Sequence, residues 1–279
     1  MSYKEKQLFY LGKEEFSGPW FKCRRSDIQG QNSLVLLKNI EPTPIYKLVN
    51  SKTGPTVNRV TIDLDINEYM KREIKSKNLK IDNIDTSQSL YIRKYVDVFQ
   101  FKKPYSIAFF SFRNTTWLTL EEVVLYMFID FDINGLDGFD NDFGEYYAEE
   151  GIILQYDDSN AYAGFCSISQ PDAYEITISN NIDLEGNSFE LRNKVEKAPG
   201  EITSALSWNL GTLNPNEIVQ IPIILSGGLN RDELIKNLKA GRKRAKSLMS
   251  QTEKSITSRS RQKQDENYHK INETISEGC

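Results

Sequence analysis

The chain has 279 residues and a formal net charge of −4, and 11% of its residues are aromatic. This length is enough to bury a full core and indicates one large domain with an appendage. No apolar run approaches the roughly 18 residues that a membrane span needs, and the first ten residues lack the apolar stretch of a signal peptide. The sequence therefore predicts a cytoplasmic protein without a membrane segment.

Ten segments in the first 228 residues are rich in β-branched and aromatic residues, which is typical of strands. They are residues 33–37, 46–49, 58–66, 90–101, 105–112, 123–132, 151–156, 161–167, 174–179 and 219–225. Turn-forming pairs such as Gly54-Pro55 and Asn214-Pro215 lie between them. Because the turns are short and helical periodicity is nearly absent, we expect residues 1–228 to form an all-β domain of two antiparallel sheets, a β-sandwich.

The pattern changes after Gly227-Gly228. Asn230 is a suitable N-cap, and one apolar stripe recurs at helical spacing on an otherwise basic segment. The stripe consists of Leu234, Leu238, Ala245 and Leu248. Residues 229–250 are therefore predicted to be a linker helix that packs on the sandwich. Residues 251–279 are polar and predict an exposed helix or a disordered tail.

Charge is distributed unevenly along the chain. Residues 231–270 contain twelve basic and five acidic residues, and residues 1–230 contain 23 basic and 32 acidic ones, so the body carries −9 and the arm +7. An acidic body does not suit nucleic acid, which is therefore an unlikely partner. The basic residues between 236 and 246 are interpreted as the solvated face of the helix, with contact to an acidic partner as the alternative.

No catalytic motif is present in the sequence. The single histidine, His269, lies in the polar tail, which argues against a Ser-His-Asp or Cys-His triad and against a histidine-ligated metal. Three cysteines, Cys23, Cys166 and Cys279, are too far apart for a disulfide framework or a Cys-x-x-Cys site. Two carboxylates would suffice for glycoside hydrolysis, but 39 acidic residues single out no pair. The sequence predicts no catalytic residue.

Aromatic residues offer one alternative to a purely structural role. Trp20, Trp117 and Trp208, together with the many tyrosines, could form a platform on which sugars stack. Aromatic residues on strands are more often core residues or cross-strand partners. We therefore expect the three tryptophans to belong to the core.

One acidic turn resembles a binding site. Asp130, Asp132 and Asn134, followed by a glycine, fit the first half of a calcium loop, and Asp137 and Asp140 would add further oxygen ligands. The twelfth position lacks the bidentate glutamate of such a loop, so the sequence predicts weak calcium binding at most and no other cofactor. The alternative is a hairpin turn that leaves Asp130 and Asp132 on the solvated face of a strand.

The order of several segments carries a family resemblance. The sequence Phe-Arg-Asn-Thr-Thr at 112–116 is followed by Leu-x-x-Val-x-Leu-Tyr-x-Phe-Ile-Asp-Phe-Asp-Ile at 120–133, the acidic turn, and Gly-Ile-Ile-Leu-Gln-Tyr-Asp-Asp from 151. Trp-Asn-Leu-Gly-Thr-Leu-Asn-Pro-Asn-Glu at 208–217 and Leu-Ser-Gly-Gly-Leu-Asn-Arg-Asp-Glu-Leu at 225–234 come next. Residues 96–249 thereby resemble the N-terminal β-supersandwich of glucoamylase-like enzymes, the family 15 glycoside hydrolases.

The resemblance implies a function without implying a catalytic site. In that family the sandwich leads through a linker helix into a catalytic (α/α)6 barrel, and the catalytic acid and base lie on the barrel, which this chain lacks. The implied role is a non-catalytic accessory or scaffolding domain of an α-glucan-processing glycoside hydrolase. Its partners would be an (α/α)6 catalytic domain, in cis or in trans, and an α-glucan. A stand-alone protein-interaction or calcium-binding module is the alternative, and a free-standing enzyme with an unrecognised carboxylate pair is the third.

Overall fold

The computed structural model describes the ranges 2–3, 6–7, 18–26, 32–37, 49–50, 57–65, 91–100, 103–114, 119–134, 140–178, 182, 184 and 190–250. Side chains are described for residues 18–24 and, within these ranges, from Lys103 onward. Trp117, Asp137 and the tail 251–279 lie outside the described residues.

The described backbone consists of strands followed by one helix. The strands are β1 (Ser2–Tyr3), β2 (Lys6–Gln7), β3 (Gly18–Ser26), β4 (Asn32–Leu37), β5 (Val49–Asn50), β6 (Val57–Asp65), β7 (Tyr91–Gln100), β8 (Tyr105–Asn114), β9 (Leu120–Asp130), β10 (Phe143–Tyr147), β11 (Ile152–Tyr156), β12 (Tyr162–Ser167), β13 (Ala173–Ile178), β14 (Lys194–Val195), β15 (Ile202–Leu213) and β16 (Ile218–Gly228). The helix, α1, covers residues 231–250. Among the described residues, no helix is long and apolar enough to cross a membrane.

Two large sheets face each other. Within the described ranges, one has eight strands in the order β10-β11-β12-β16-β8-β7-β6-β5, and the other has six in the order β14-β13-β15-β9-β3-β4. Their strand pairs are antiparallel except for the short parallel pair β13–β14. This arrangement confirms the all-β, two-sheet fold followed by a C-terminal helix. The strands that are additional to the ten segments expected from the sequence are β1, β2, β3, β10, β14 and β15.

The core lies between the two sheets, where alternate residues of each strand meet. Phe21 of the six-stranded sheet stacks on Phe112 of the eight-stranded sheet with 5.1 Å between ring centroids. Phe131 and Phe165 meet at 6.3 Å at the other end of the same cluster. Such rings bury large apolar areas, and this burial is the main term that holds the two layers together.

The outer faces of both sheets are also apolar and covered. Ile182, Leu184 and Leu191 pack over Trp20 and its neighbours Tyr126 and Phe128 on the six-stranded sheet. On the eight-stranded sheet, α1 covers a second cluster that contains Ile107, Phe109, Leu154, Cys166 and Ile224. Where these two clusters lie, both faces of the sheet are therefore buried, which explains why β9 is apolar along most of its length and does not alternate strictly.

Helix α1 starts with a capping box. The Asn230 side chain accepts a hydrogen bond from the backbone N–H of Glu233 at 2.8 Å, and the Glu233 carboxylate accepts one from the backbone N–H of Leu229 at 2.8 Å. Two otherwise unsatisfied N–H groups of the helix start are thereby bonded. The cap fixes where α1 leaves the end of β16 and hence the direction in which it crosses the sheet.

Two glycines allow α1 to approach the sheet closely. A Cβ atom on Gly241 of the helix would lie 2.5 Å from Cγ2 of Ile224, and one on Gly164 of β12 would lie 3.1 Å from Cδ2 of Leu234. A larger residue at either position would push the two backbones apart. Leu234, Leu238 and Ala245, which line the same side of α1, are fully buried in this contact.

Candidate functional site

The acidic turn lies at one end of the sandwich, and its first two carboxylates are buried. Asp130 ends β9, and Asp132 follows it in the turn; they are 3% and 5% exposed. The interpretation that places Asp130 and Asp132 on the solvated face of a strand is therefore wrong, because protein covers both sides of the chain at this point. Phe131 and Ile133 alternate with the two aspartates and are buried in the core between the sheets.

Two further buried aspartates, Asp142 and Asp157, lie at the same end of the sandwich as Asp130 and Asp132. Asp142 is 1% exposed, its Oδ2 accepts a hydrogen bond from the backbone N–H of Ile133 at 3.2 Å, and its Oδ1 is buried without a hydrogen-bond partner. Asp157, just after β11, accepts hydrogen bonds from the backbone N–H of Ser159 at 3.0 Å and from the side-chain amide of Asn134. We name Asp130, Asp132, Asp142 and Asp157 the acidic end.

These carboxylates act on one another electrostatically. The pKa of Asp142 is raised from 3.8 to about 8, with burial as the largest cause. The nearby charges of Asp157, Asp132 and Asp130 contribute to this rise, and the hydrogen bond from Ile133 opposes it. Asp142 therefore carries a proton at neutral pH, and the group holds one negative charge fewer than its four carboxyls suggest.

A polar residue from each sheet ties the acidic end to the core. Gln155 of β11 accepts a hydrogen bond from the backbone N–H of Phe131 at 3.2 Å and donates one to Oγ of Ser204 in β15 at 2.8 Å. Ser204 in turn donates to the carbonyl of Ile129 at 3.0 Å. This buried network fixes the turn after β9 against both sheets, so the carboxylates are held by the fold and not by a loose loop.

The structure describes four of the five residues of the calcium prediction, since Asp137 is outside the described residues. Asp130 and Asp132 are buried at the acidic end, Asn134 donates a hydrogen bond to Asp157 there, and Asp140 is exposed. Within the described ranges, no group of three or more His, Cys, Asp or Glu side chains has the geometry to hold a metal ion. Calcium binding at this turn stays a prediction.

Sequence reasoning missed Asp142 as a buried residue and missed Asp157 entirely. A signal for the second was present, since Gln155 interrupts the apolar run Ile-Ile-Leu-Gln-Tyr and Asp157 follows it directly. A polar residue inside a strand that is buried on both faces needs hydrogen-bond partners, and such partners mark a polar site in the core.

A second group of charged side chains lies at the contact between α1 and the eight-stranded sheet, which we name the helix joint. Arg231 pairs with Glu145 of β10 at 2.6 Å, and its guanidinium lies 5.0 Å from the ring centroid of Tyr147. Lys239 and Arg242 both pair with Glu150, at 2.8 and 2.9 Å. Arg242 also donates a hydrogen bond to the carbonyl of Ser167 at 2.8 Å.

The charges at the helix joint are matched. The hydrogen bond from Lys239 lowers the pKa of Glu150, and the charges of Lys239 and Arg242 add to this effect against the opposing effect of burial. The hydrogen bond to Glu145 raises the pKa of Arg231 in the same way. The joint therefore stays ionised across the physiological range and attaches α1 to the sheet by side chains as well as by its apolar stripe.

The structure offers no tryptophan platform in the part of the chain that it describes. Trp20 and Trp208 are buried in the outer cluster and the core, as expected, and Trp117 lies outside the described residues. On the outer face of the eight-stranded sheet, Phe143, Tyr156 and Tyr162 stack on one another at 5.5 and 5.0 Å. Tyr156 has a ring on each side, so both of its faces are covered and unavailable to a sugar ring.

Comparison with known proteins gives similarity in structure but none in sequence. No family model matches the chain, and no curated protein matches it. A bacterial glucoamylase complexed with acarbose matches 87% of this chain with a TM-score of 0.52 and 14% sequence identity. In fold, this chain is similar to part of a glucoamylase. The resemblance to the β-supersandwich of glucoamylase-like enzymes is thereby confirmed at the level of the fold.

Two other solved structures match less closely, and both are longer than this chain. A putative kojibiose phosphorylase from human microbiome matches with a TM-score of 0.45 and 13% identity over 80% of this chain, and a polysaccharide lyase matches with 0.44 and 13% over 81%. The chain spans 36% of the glucoamylase, 25% of the phosphorylase and 28% of the lyase.

Proposed function

We propose that this chain is an accessory domain, without catalytic activity of its own, that works together with the catalytic domain of an α-glucan-processing glycoside hydrolase. The observation that carries the proposal is the similarity in fold to about a third of a bacterial glucoamylase. In this chain the sandwich is followed by helix α1, and in glucoamylase-like enzymes a linker helix at this point leads into the catalytic barrel. The catalytic partner would be an (α/α)6 barrel, in cis or in trans, and the ligand of the assembled enzyme an α-glucan.

The arrangement of α1 supports a scaffolding role. A linker that only joins two domains needs no contact with either, whereas α1 buries Leu234, Leu238 and Ala245 and is paired through Arg231 and Arg242. A helix held in this way sets the position of whatever follows it. The helix joint would therefore fix the orientation of a catalytic domain relative to the sandwich.

The acidic end does not have the form of a glycosidase acid–base pair. Such a pair needs one protonated and one ionised carboxyl on opposite sides of a cleft that admits a sugar. Asp142 supplies the protonated group, but Asp130, Asp132, Asp142 and Asp157 are all more than nine-tenths buried. Their burial supports the assignment of catalysis to a partner.

The test compares the purified chain with its native assembly. An antibody against the chain precipitates it from its natural source, and glucose release from maltotriose and glycogen is measured in the precipitate. We expect the precipitate to release glucose from these α-glucans and not from the β-linked cellotriose. We expect the purified chain alone to release none.

Two results would contradict the proposal. One is glucose release by the purified chain that disappears when a single carboxylate is replaced, since the chain would then be an enzyme. The other is a precipitate that contains the chain in full yield but has no activity on either α-glucan. Precipitates from a source in which the chain has been deleted provide the control.

Cation binding at the acidic turn is a second candidate function. It is favoured by the burial of Asp130 and Asp132 together with Asp142 and Asp157, because a cation would offset the repulsion among their charges. We expect a dissociation constant for calcium near the millimolar range, about 10⁻³ M. Titration calorimetry of the wild type and of an Asp132→Asn, Asp137→Asn double variant checks this, and an isotherm that is the same for both proteins would contradict it.

A further inference from the structure

The outward side of α1 carries lysines that the helix joint does not use. Lys236, Lys243 and Lys246 are exposed and lie on one side of the helix, because their spacings of seven and three residues correspond to about two turns and one turn. In the described part of the chain, the ion pairs of α1 with the sheet are made by Arg231, Lys239 and Arg242, and none involves these three lysines. We name the three residues the lysine stripe.

An opposite charge lies elsewhere on the same molecule. Asp140 and Asp158 are exposed at the end of the sandwich where Asp142 and Asp157 are buried. The exposed aspartates and the lysine stripe have side chains of opposite charge and are therefore surfaces of complementary charge.

One molecule cannot bring these two surfaces together. Strand β11 ends at Tyr156, which pairs with Tyr162, and Tyr162 pairs with Gly228, so Asp158 and the start of α1 lie at the same end of the sheet. Helix α1 has 20 residues and is therefore about 30 Å long. Lys246 lies about 22 Å along it, and the buried stripe and ion pairs hold α1 in place.

A second copy of this chain can bring the two charged surfaces together. If two molecules lie with their α1 helices antiparallel about a twofold axis, the exposed Asp140 and Asp158 of each come near the Lys243–Lys246 end of the other. A twofold contact of this kind is self-complementary and uses both charged surfaces twice. We propose that the lysine stripe docks on Asp140 and Asp158 of a second copy of this chain, which gives an antiparallel, salt-sensitive dimer. This inference is independent of the proposed catalytic partner.

The first measurement uses the unmodified full chain. Sedimentation velocity over a range of protein concentrations gives the dimer dissociation constant in about 0.1 M and in about 1 M sodium chloride, where the Debye length falls from about 10 to about 3 Å. We expect a dimer in low salt whose dissociation constant rises at least tenfold in high salt. A monomer at all concentrations in low salt, or a dimer that does not respond to salt, would overturn the proposal.

A charge swap identifies the surfaces. One variant carries Lys236→Glu, Lys243→Glu and Lys246→Glu, and the other carries Asp140→Lys and Asp158→Lys; all five positions are exposed, and circular dichroism verifies that both variants are folded. Each variant alone should be monomeric, since like charges then face each other at both contacts. An equimolar mixture should form a heterodimer, because each variant supplies the charge that the other has lost. Failure of the mixture to associate while the wild type dimerises would place the interface elsewhere and overturn the assignment.

Discussion

The helix joint and the acidic end are two charged regions of one sandwich, the first partly exposed and the second buried, and they handle charge in opposite ways. At the joint, Glu150 receives Lys239 and Arg242, and its pKa is lowered. At the acidic end, Asp142 lies among three other carboxylates, and its pKa is raised to about 8. Matched charges stabilise the folded state, whereas like charges in a buried site reduce its stability. Charge therefore helps to attach α1 to the sheet at the joint and weakens the fold at the acidic end.

The largest effect is expected from the apolar stripe of α1. Replacing Leu238, which is fully buried, with Asp removes its packing and places a charge against Ile107 and its neighbours. We expect the free energy of unfolding to fall by about 4 kcal/mol, measured by urea denaturation. The control Ala240→Asp places the same residue on the exposed side of α1 and should cost less than about 1 kcal/mol. Equal effects of the two changes would mean that α1 does not rely on the sheet.

The ion pairs of the helix joint should contribute less to the free energy of unfolding than the apolar stripe of α1, but still a measurable amount. Arg242→Met keeps most of the side-chain length and removes the bonds to Glu150 and to the carbonyl of Ser167. Glu150 keeps Lys239 as a partner, so we expect a loss of about 2 kcal/mol in the free energy of unfolding. The control is Lys243→Met on the outward side, for which the same urea measurement should show no significant change. A loss below about 0.5 kcal/mol for Arg242→Met would show that the stripe alone fixes the helix.

Gly241 gives a prediction whose sign is opposite to that expected for an isolated helix. Changing glycine to alanine inside a helix ordinarily stabilises it by about 1 kcal/mol. Here the new Cβ would lie 2.5 Å from Ile224, so we expect Gly241→Ala to destabilise the protein by about 1–2 kcal/mol. A rise in the midpoint of thermal unfolding would contradict the close contact between α1 and the sheet.

The smallest change expected at neutral pH concerns Asp142, and it should grow with pH. Because its pKa is raised in the folded state, from 3.8 to about 8, the protonated form stabilises the fold below about pH 4, and this stabilisation is lost as the pH rises toward 8. Asp142→Asn removes the titration. The difference in the free energy of unfolding, variant minus wild type, should therefore increase by at least about 1 kcal/mol from pH 5.5 to pH 8.5.

The control for this experiment is Asn141→Ala, an exposed change beside Asp142; it alters no ionisable group, so its difference should be flat with pH. Chemical denaturation at each pH gives the two difference curves. A flat curve for Asp142→Asn would show that this carboxyl is ionised in the folded protein at neutral pH, and it would remove the contrast between the two regions.

Local patterns in the sequence were sufficient for the fold class. Segments such as 161–167 and 219–225 are apolar and bounded by turn residues, and they coincide closely with β12 and β16. Strand β3 was missed because Lys22, Arg24 and Arg25 interrupt its apolar residues, and β15 because it begins with small residues of low strand propensity, including Ser204 and Ala205. Strand β10 was missed because a glycine and a glutamate stand among its five residues.

The two charged regions could not be predicted from the sequence as the fold class was, because both depend on contacts between residues that are distant along the chain. Arg231 and Glu145 are 86 positions apart and Arg242 and Glu150 are 92 apart, and no local pattern joins them. The ends of β9 and β11 meet only because the two sheets face each other, so Asp157 joins the aspartates of the turn through topology. The apolar stripe of α1, by contrast, is a local periodic pattern, and its buried side was visible in the sequence.

The contrast between the two regions rests on one claim, which is that α1 stays attached to the sandwich at neutral and mildly alkaline pH, whereas the acidic end loses stability when Asp142 is deprotonated. Hydrogen exchange measured residue by residue at pH 6.5 and pH 8.5 tests this directly. The account predicts that the amide of Leu238 shows the same free energy of opening as that of Phe128 in β9 at both pH values, and that the amide of Ile133, which bonds Asp142, opens more easily at pH 8.5. A lower opening free energy for Leu238 than for Phe128, or an Ile133 amide as protected as Phe128 at pH 8.5, would contradict it.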